Sequence, residues 1–190
     1  MVKIVNISRI ETDTEPDFMV EAIHRQLTAI SEKITGSFTP TIWKRVTGYP
    51  ELMVVTGFES LESQEEYEKL FLMTPTGEAT YELFRGAPNV DRFKIEIHQG
   101  CGPGQAPIDG YLTFNSHQAD LGHAADELEE ARYSIDSMSA VDGFIGAVAG
   151  TSIIVPGRIE SMIFWANREA VEQSIPIRVD TNLRMYRKMV

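Results

Sequence analysis

The sequence of 190 residues is short of cysteine, of positive charge and of long apolar runs. Cys101 is the one cysteine, which excludes an internal disulfide framework and a cysteine-based zinc site. With 17 Lys and Arg against 28 Asp and Glu, the chain has a formal charge of −11 and would be repelled by nucleic acid and anionic membranes. No run approaches the ~18 apolar residues of a membrane-spanning helix, and the first residues lack the apolar core of a signal peptide. We therefore expect a cytoplasmic protein without nucleic-acid or membrane partners.

The signatures of several enzyme classes are missing as well. The sequence has no G-x-S-x-G, no H-E-x-x-H and no P-loop motif, which argues against serine hydrolases, zincins and P-loop enzymes. Its four histidines are scattered, and His98 with Cys101 makes only an isolated H-x-x-C pair. We therefore expect no metal site and no bound cofactor.

The clearest pattern in the sequence is an order of elements that is predicted twice. Alternating stretches rich in Val and Ile predict four strands in the first part, at 2–10, 41–46, 52–58 and 93–98. Helical spacing of apolar residues runs from Pro16 to Gly36, and a second helix begins at Leu61. The second part repeats this order, with strands at 111–115, 143–149, 159–165 and 183–186 and helices at 121–138 and 167–174. Glycine and proline are concentrated between the two parts.

Each part has the order β-α-β-β-α-β, which forms a four-stranded antiparallel sheet with both helices on one face, the ferredoxin-like arrangement. The strand at 52–58 is apolar on both sides, so the second face of its sheet also needs a cover. We expect an α+β fold in which two ferredoxin-like units in tandem, residues 1–98 and 110–190, are joined by a linker at 99–109. Packed sheet to sheet, they would form a pseudo-dimeric α+β barrel. The alternatives are two independent domains on a flexible linker, or a further dimer of such chains.

Three stretches of the sequence carry a resemblance to a known family. They are the first strand and the step to its helix at 5–16, the strand-to-helix passages at 55–63 and 162–170, and Thr74-Pro75-Thr76-Gly77. In these stretches the chain resembles the dimeric α+β barrel superfamily, in particular the antibiotic-biosynthesis-monooxygenase (ABM) domain in tandem duplicate. The resemblance implies a small oxygenase without metal or flavin, or a haem-degrading enzyme. Many family members have a histidine where this chain has Thr76, and no histidine follows Trp165, which argues against haem degradation.

The second part of the chain holds the candidate catalytic residues. Asn115 lies at the end of its first strand, and His117 follows two residues later. Because the ordinary pKa of histidine is near neutrality, His117 is the candidate general base beside Asn115. The alternative is that His117 only makes a local hydrogen bond where the next helix begins.

Candidate substrate-binding residues come from both parts. Trp43 and Trp165 lie on middle strands, and with Phe58 they would supply aromatic walls to a cavity inside the barrel. Asn6 would supply a polar group from the first strand, and Arg9 would pair with an anionic substrate. The alternatives are that both tryptophans serve packing and that Arg9 is an exposed strand residue.

These residues lead to two competing functions. The first is a cofactor-independent monooxygenase that acts on a small aromatic or polyketide-like substrate in a barrel cavity. The second is a non-catalytic module with the same fold, which binds a small apolar or aromatic molecule or serves assembly. Haem binding is a third, weaker interpretation, and a homo-oligomer of pseudo-dimers stays open.

Overall fold

The strands of the computed structural model pair into one closed antiparallel barrel with helices on its outer surface. The structure describes residues 2–11, 17–46, 48–73, 89–175 and 184–190. Within these residues the strands are β1 (Ile4–Glu11), β2 (Thr41–Arg45), β3 (Glu51–Phe58), β4 (Asn89–Gly100), β5 (Tyr111–Gln118), β6 (Phe144–Ser152), β7 (Arg158–Trp165) and β8 (Arg184–Lys188). The α-helices of the same residues are α1 (Asp17–Ser31), α2 (Leu61–Met73), α3 (Ala124–Met138) and α4 (Arg168–Ser174).

The order of strands around the barrel is β1-β3-β2-β8-β5-β7-β6-β4. The first four strands of the chain are neighbours in the order β4-β1-β3-β2, and the last four are neighbours in the order β8-β5-β7-β6. The two sets are joined by the pairing of β2 with β8 and of β4 with β6. The expected α+β class and the closed barrel are therefore confirmed, and two independent domains on a flexible linker are excluded.

The barrel interior is packed with apolar side chains. Strand residues alternate between the two faces, so Val5 and Ile7 of β1 point inward with Met53 and Val55 of the neighbouring β3. The inner cluster also includes Trp43, Phe93, Leu112, Phe114, Val148, Met162, Phe164 and Tyr186. The prediction that residues 52–58 are apolar on both faces is thus explained, because the other face of β3 packs against helices.

The outer face of the sheet is covered by the helices. Ile23 and Leu27 of α1 are buried against β2 and β3, as their spacing predicts. Leu128, Ile135 and Met138 of α3 are buried against β6 and β7. The prediction that this helix begins at 121 is wrong. A turn with Gly122 at φ 87° precedes α3, and Leu121 is 101% exposed.

The joint between the two sets of strands is shorter than expected and closes one end of the barrel. β4 runs on to Gly100, which has a φ of 66°, and Pro103–Gln105 form a single 3-10 turn. Ala106 packs against the inner cluster, and the Nζ atom of Lys188 donates a hydrogen bond of 2.6 Å to the carbonyl oxygen of Ala106. Part of the predicted linker therefore belongs to the barrel itself.

The seam between β4 and β6 gives a test of barrel closure. A methyl group at Gly150 would overlap the carbonyl oxygen of Lys94 on β4, whereas one at Gly102 has open space around it. We expect Gly150→Ala to lower the free energy of unfolding by about 3 kcal/mol, the upper range for overpacking a fitted site. Gly102→Ala is the matched control and should change it by less than about 0.5 kcal/mol. Denaturant unfolding measures both, and equal effects would contradict the seam.

Candidate functional site

A cavity of about 80 Å³ lies between the outer face of the sheet and helices α1 and α2. Its apolar wall consists of Leu27, Val54, Phe71, Leu72 and Val90. This volume is smaller than the roughly 300–1,000 Å³ of pockets for drug-sized molecules, so the cavity suits a smaller ligand. The cavity is outside the barrel interior, where the sequence led us to expect one.

Three polar side chains lie next to one another on the floor of this cavity. Asn6 points outward because its neighbours Val5 and Ile7 point inward. In the strand register, Asn6 is opposite Thr56 of β3 on one side and opposite Arg92 of β4 on the other. Three adjacent strands therefore place an amide, a hydroxyl and a guanidinium group side by side.

The cavity contains polar atoms that are buried without a partner. The Oδ1 atom of Asn6, the Oε1 atom of Gln64 and the Nε atom of Arg92 have no hydrogen-bond partner among the described residues. Most buried polar groups in proteins are hydrogen-bonded, and an unpartnered one is costly. The site thus offers two acceptors and one donor to a ligand of matching polarity.

Tyr67 forms one side of the cavity and is held in place by two aromatic rings. Phe58 meets it edge to face at a centroid distance of 5.3 Å, and Phe71 stacks on it at 6.5 Å. Burial raises the pKa of the Tyr67 phenol, while a hydrogen bond with Thr56 acts in the opposite direction. Tyr67 is therefore a neutral phenol at physiological pH.

An ion pair bounds the cavity on another side. The Nη2 atom of Arg92 donates to the Oε1 atom of Glu68 at 2.6 Å. The Glu68 side chain is partly exposed, whereas the Nε atom of Arg92 is buried at the cavity. Arg92 therefore keeps one donor for a ligand while its charge is balanced.

The sequence-predicted residues of the first part are divided between the two faces of the sheet. Asn6 lines the cavity, and Phe58 supports it from behind Tyr67. Trp43 is fully buried in the barrel interior, where its Nε1 atom donates to Thr41 at 2.9 Å. Arg9 also faces the interior and is only 8% exposed, so it is not an exposed strand residue. The substrate contacts assigned to these four residues stay predictions.

The predicted residues of the second part are not brought together around a described cavity. Trp165 is fully buried and belongs to the cluster that packs under α3 and α4. It therefore faces the helices, and the prediction that it lines a cavity inside the barrel is wrong. Its Nε1 atom donates to Thr113 at 3.1 Å, and Phe144 meets it edge to face. In the register Trp165 is opposite Tyr111, whereas Asn115 is opposite Ser161, so Asn115 and Trp165 lie four residues apart along the sheet.

Asn115 and His117 nevertheless lie on the same face of β5. The Oδ1 atom of Asn115 is buried without a described partner. The His117 side chain is 53% exposed, and its Nε2 atom pairs with the Glu127 carboxylate of α3. His117 belongs to the strand and does not begin the helix; the residue preceding α3 is His123. The general-base role of His117 stays a prediction.

Several residues of the cavity were missed by sequence reasoning, among them Gln64, Tyr67 and Arg92. Gln64 and Tyr67 lie in the acidic run at 62–68, whose composition is typical of a solvated helix face. Both are buried. The available signal was that these two uncharged residues, three apart, lie on one side of the helix. The family-like step at 74–77 lies outside the described residues.

The described residues of the site do not fit a metal or a haem. In the described part of the chain, no group of three or more His, Cys, Asp or Glu side chains is placed to hold a metal ion. Haem iron is usually held by His, Cys, Met or Tyr. The described lining residues include no His, Cys or Met, and Tyr67 is enclosed by Phe58 and Phe71. Among the described residues, no helix is long and apolar enough to cross a membrane.

Comparison with known proteins identifies the fold. The sequence matches no protein-family model and no curated protein sequence. Among solved structures, a proposed monooxygenase from Fusobacterium nucleatum has a TM-score of 0.70 at 8% identity, covering 100% of this chain and 92% of that one. An anthrone oxidase-like protein has a TM-score of 0.70 at 14% identity, with coverages of 100% and 92%.

A haem-degrading enzyme from Listeria monocytogenes has a TM-score of 0.54 at 12% identity, covering 97% of this chain and 99% of that one. At these identities the likeness concerns the fold alone. The chain therefore shares the α+β barrel fold of these proteins, along nearly its whole length.

A substitution of Gln64 tests whether its buried amide group stabilises the fold. We expect Gln64→Met, which replaces the amide by an apolar group of similar length, to leave the free energy of unfolding unchanged or to raise it by up to about 1 kcal/mol. The unpartnered Oε1 atom is the reason. Gln173→Met, at an exposed position of α4, is the matched control and should have little effect. Denaturant unfolding measures both, and a loss above about 1 kcal/mol at Gln64 alone would show that the amide is structural.

Proposed function

We propose that the protein is a cofactor-independent monooxygenase that acts on a small hydroxylated aromatic or polyketide-like substrate. The observation that carries this proposal is the cavity with unpartnered acceptors on Asn6 and Gln64 and an unpartnered donor on Arg92. Apolar walls with a few convergent polar groups are typical of sites for small organic ligands. The fold shared with a proposed monooxygenase and an anthrone oxidase-like protein supports the same function.

We further propose that the barrel consists of two ferredoxin-like units of the ABM type in tandem. The strand orders β4-β1-β3-β2 and β8-β5-β7-β6, each with two helices on the outer face, support this interpretation. The units would be residues 1–98 and 110–190, with the joint at 99–109. Assembly into a homo-oligomer remains a separate prediction.

The polar groups of the cavity suit an aromatic or enolic hydroxyl group next to a carbonyl group. The hydroxyl donates to the Oδ1 atom of Asn6 or the Oε1 atom of Gln64, and the carbonyl accepts from the Nε atom of Arg92. When the substrate loses its proton, the guanidinium group of Arg92 stabilises the anion. Glu68 is the one carboxylate among the described lining residues and would accept that proton.

The proposed reaction needs no reductant apart from the substrate. An electron-rich phenolate passes electrons to molecular oxygen, and one oxygen atom enters the ring to form a quinone. The other oxygen atom leaves as water with two hydrogens from the substrate, so the substrate supplies all four electrons. The protein orients the ring, excludes water and stabilises the anion.

Two other functions are outcomes of the same experiment. A non-catalytic binding module would hold the substrate without consuming oxygen. Haem degradation is the function named for one neighbour of similar fold. The described cavity supplies no His, Cys or Met ligand and is small for haem, which argues against haem degradation at this site.

Oxygen uptake with phenol and with naphthol as probes, which suit a small cavity better than a three-ring molecule, tests the proposal. We expect one oxygen molecule to be consumed for each quinone or ketone product. Asn6→Ala should lower kcat/KM by roughly tenfold or more, because it removes a hydrogen bond to the reacting hydroxyl. Asn115→Ala is the comparison variant, since it removes a similarly unpartnered amide from the candidate site of the second part.

The same variants distinguish the competing assignments. If Asn115→Ala and His117→Ala lose activity and Asn6→Ala retains it, the site lies in the second part of the chain, as the sequence first suggested. Binding of the probes by calorimetry without oxygen uptake would indicate a non-catalytic module. A Soret shift on titration with haemin would indicate haem binding.

A further inference from the structure

One end of the barrel interior is rich in arginine, although the chain has a net charge of −11. Arg9 alternates with the inward-facing Val5 and Ile7 on β1. Residues directly opposite each other in an antiparallel pair share a face. Arg45 is opposite Tyr186, and Arg184 is opposite Phe114, and both partners belong to the inner cluster. Arg158 reaches the same region from β7, because it contacts Asp91 of β4.

The acidic groups at this end of the barrel have partners. Asp91 is shared by two arginines, with contacts of 2.7 Å to Arg9 and 3.0 Å to Arg158. Glu51 accepts a short hydrogen bond from the hydroxyl group of Tyr186. These two carboxylates face four guanidinium groups, and two further carboxyl groups, those of Glu160 and of Glu11 at the rim, are considered below.

Several guanidinium N–H groups remain without a partner. The Nε atom of Arg9, the Nε atom of Arg45 and the Nη1 atom of Arg184 are buried and have no hydrogen-bond partner among the described residues. Arg9 lies 5.6 Å over the ring of Phe114, the residue opposite Arg184. Burial raises the pKa of Tyr186, and the charges of Arg9 and Arg45 both act against this rise, so the two arginines lie near the same hydroxyl.

We propose that this end of the barrel binds a small oxyanion, a carboxylate or a phosphate group, through the unpartnered N–H groups of Arg9, Arg45 and Arg184. The planar guanidinium group binds both kinds of anion with paired, charge-assisted hydrogen bonds. The site is separate from the cavity of the proposed oxygenase, because Arg9 and Asn6 point to opposite faces of β1.

Glu160 makes the binding dependent on pH. It is 0% exposed, accepts a hydrogen bond of 3.0 Å from Ser116, and keeps its Oε2 atom without a described partner. Burial and the charge of Asp91 raise the pKa of Glu160 to about 7, against the effects of Ser116, Arg158 and Arg9.

Below this pKa Glu160 is neutral, and above it Glu160 adds a negative charge that repels an anion. Binding should therefore weaken as the pH rises through about 7. Other charged groups of the described residues also face this end of the barrel. They are Arg9, Arg45, Arg158, Arg184, Asp91, Glu51 and, at the exposed rim, Glu11.

Calorimetric titration with inorganic phosphate and with benzoate tests the site, at constant ionic strength in sodium chloride. We expect saturable binding of at least one of the two anions, and the tighter one identifies the group. Arg184→Gln should weaken binding by roughly tenfold or more, because it removes a charged donor. Arg187→Gln is the matched control, since Arg187 is an exposed residue of the same strand. Arg45→Gln is a second test variant, and circular dichroism checks that each variant is folded.

Further variants test anion binding separately from the proposed oxygenase activity. Glu160→Gln should abolish the loss of affinity between pH 6 and 8, and Asn6→Ala should leave anion binding unchanged. The proposal is overturned if neither anion binds, if neutral benzamide binds as well as benzoate, or if Arg184→Gln and Arg187→Gln weaken binding equally.

Discussion

The alternation of side chains in a closed sheet is the constraint on which the rest of the structure depends. Closure leaves no free edge, so each strand residue faces either the barrel interior or the helices. On β1 this places Val5, Ile7 and Arg9 inside and Asn6 and Ser8 outside. A register shift of one residue would bury Asn6 in the apolar interior and move Arg9 away from Asp91. The apolar core therefore fixes the positions of both polar sites.

The two sets of strands have the same order but differ in the aromatic residue that ends the strand paired with the first strand of each set. A buried indole N–H needs a hydrogen-bond partner, and Thr113 supplies one to Trp165. In the first set the aromatic residue at the end of the corresponding strand is Phe58, which has no N–H group to donate. Asn6, two residues along β1 from the position opposite Phe58, therefore keeps its Oδ1 atom unpartnered. Thr113, which accepts that hydrogen bond, occupies the position of β5 that matches Asn6 on β1.

The sequence predicted the strands well because alternation is a local pattern, and it predicted closure because residues 52–58 are apolar on both faces. It did not predict that β4 runs from Asn89 to Gly100, since the charged residues at 91 and 92 resemble a loop. The pairing of Arg9 with Asp91 joins residues 82 positions apart, which no local pattern reports.

His117 and Asn115 are neighbours in sequence and share a face of β5, yet the His117 side chain turns to Glu127 on α3. A common role of the two residues therefore stays a prediction.

The two polar regions of the structure share β1 and β4 and lie on opposite faces of these strands. On β4 the adjacent residues Asp91 and Arg92 point in opposite directions, the first to Arg9 in the barrel and the second to Glu68 at the cavity. Unpartnered buried polar groups lower the stability of a fold. Proteins tend to retain such unfavourable groups at functional sites. Asn6, Arg9 and Arg92 carry groups of this kind on the two faces of β1 and β4, so a ligand that satisfies the groups on either face would add to the stability of the sheet.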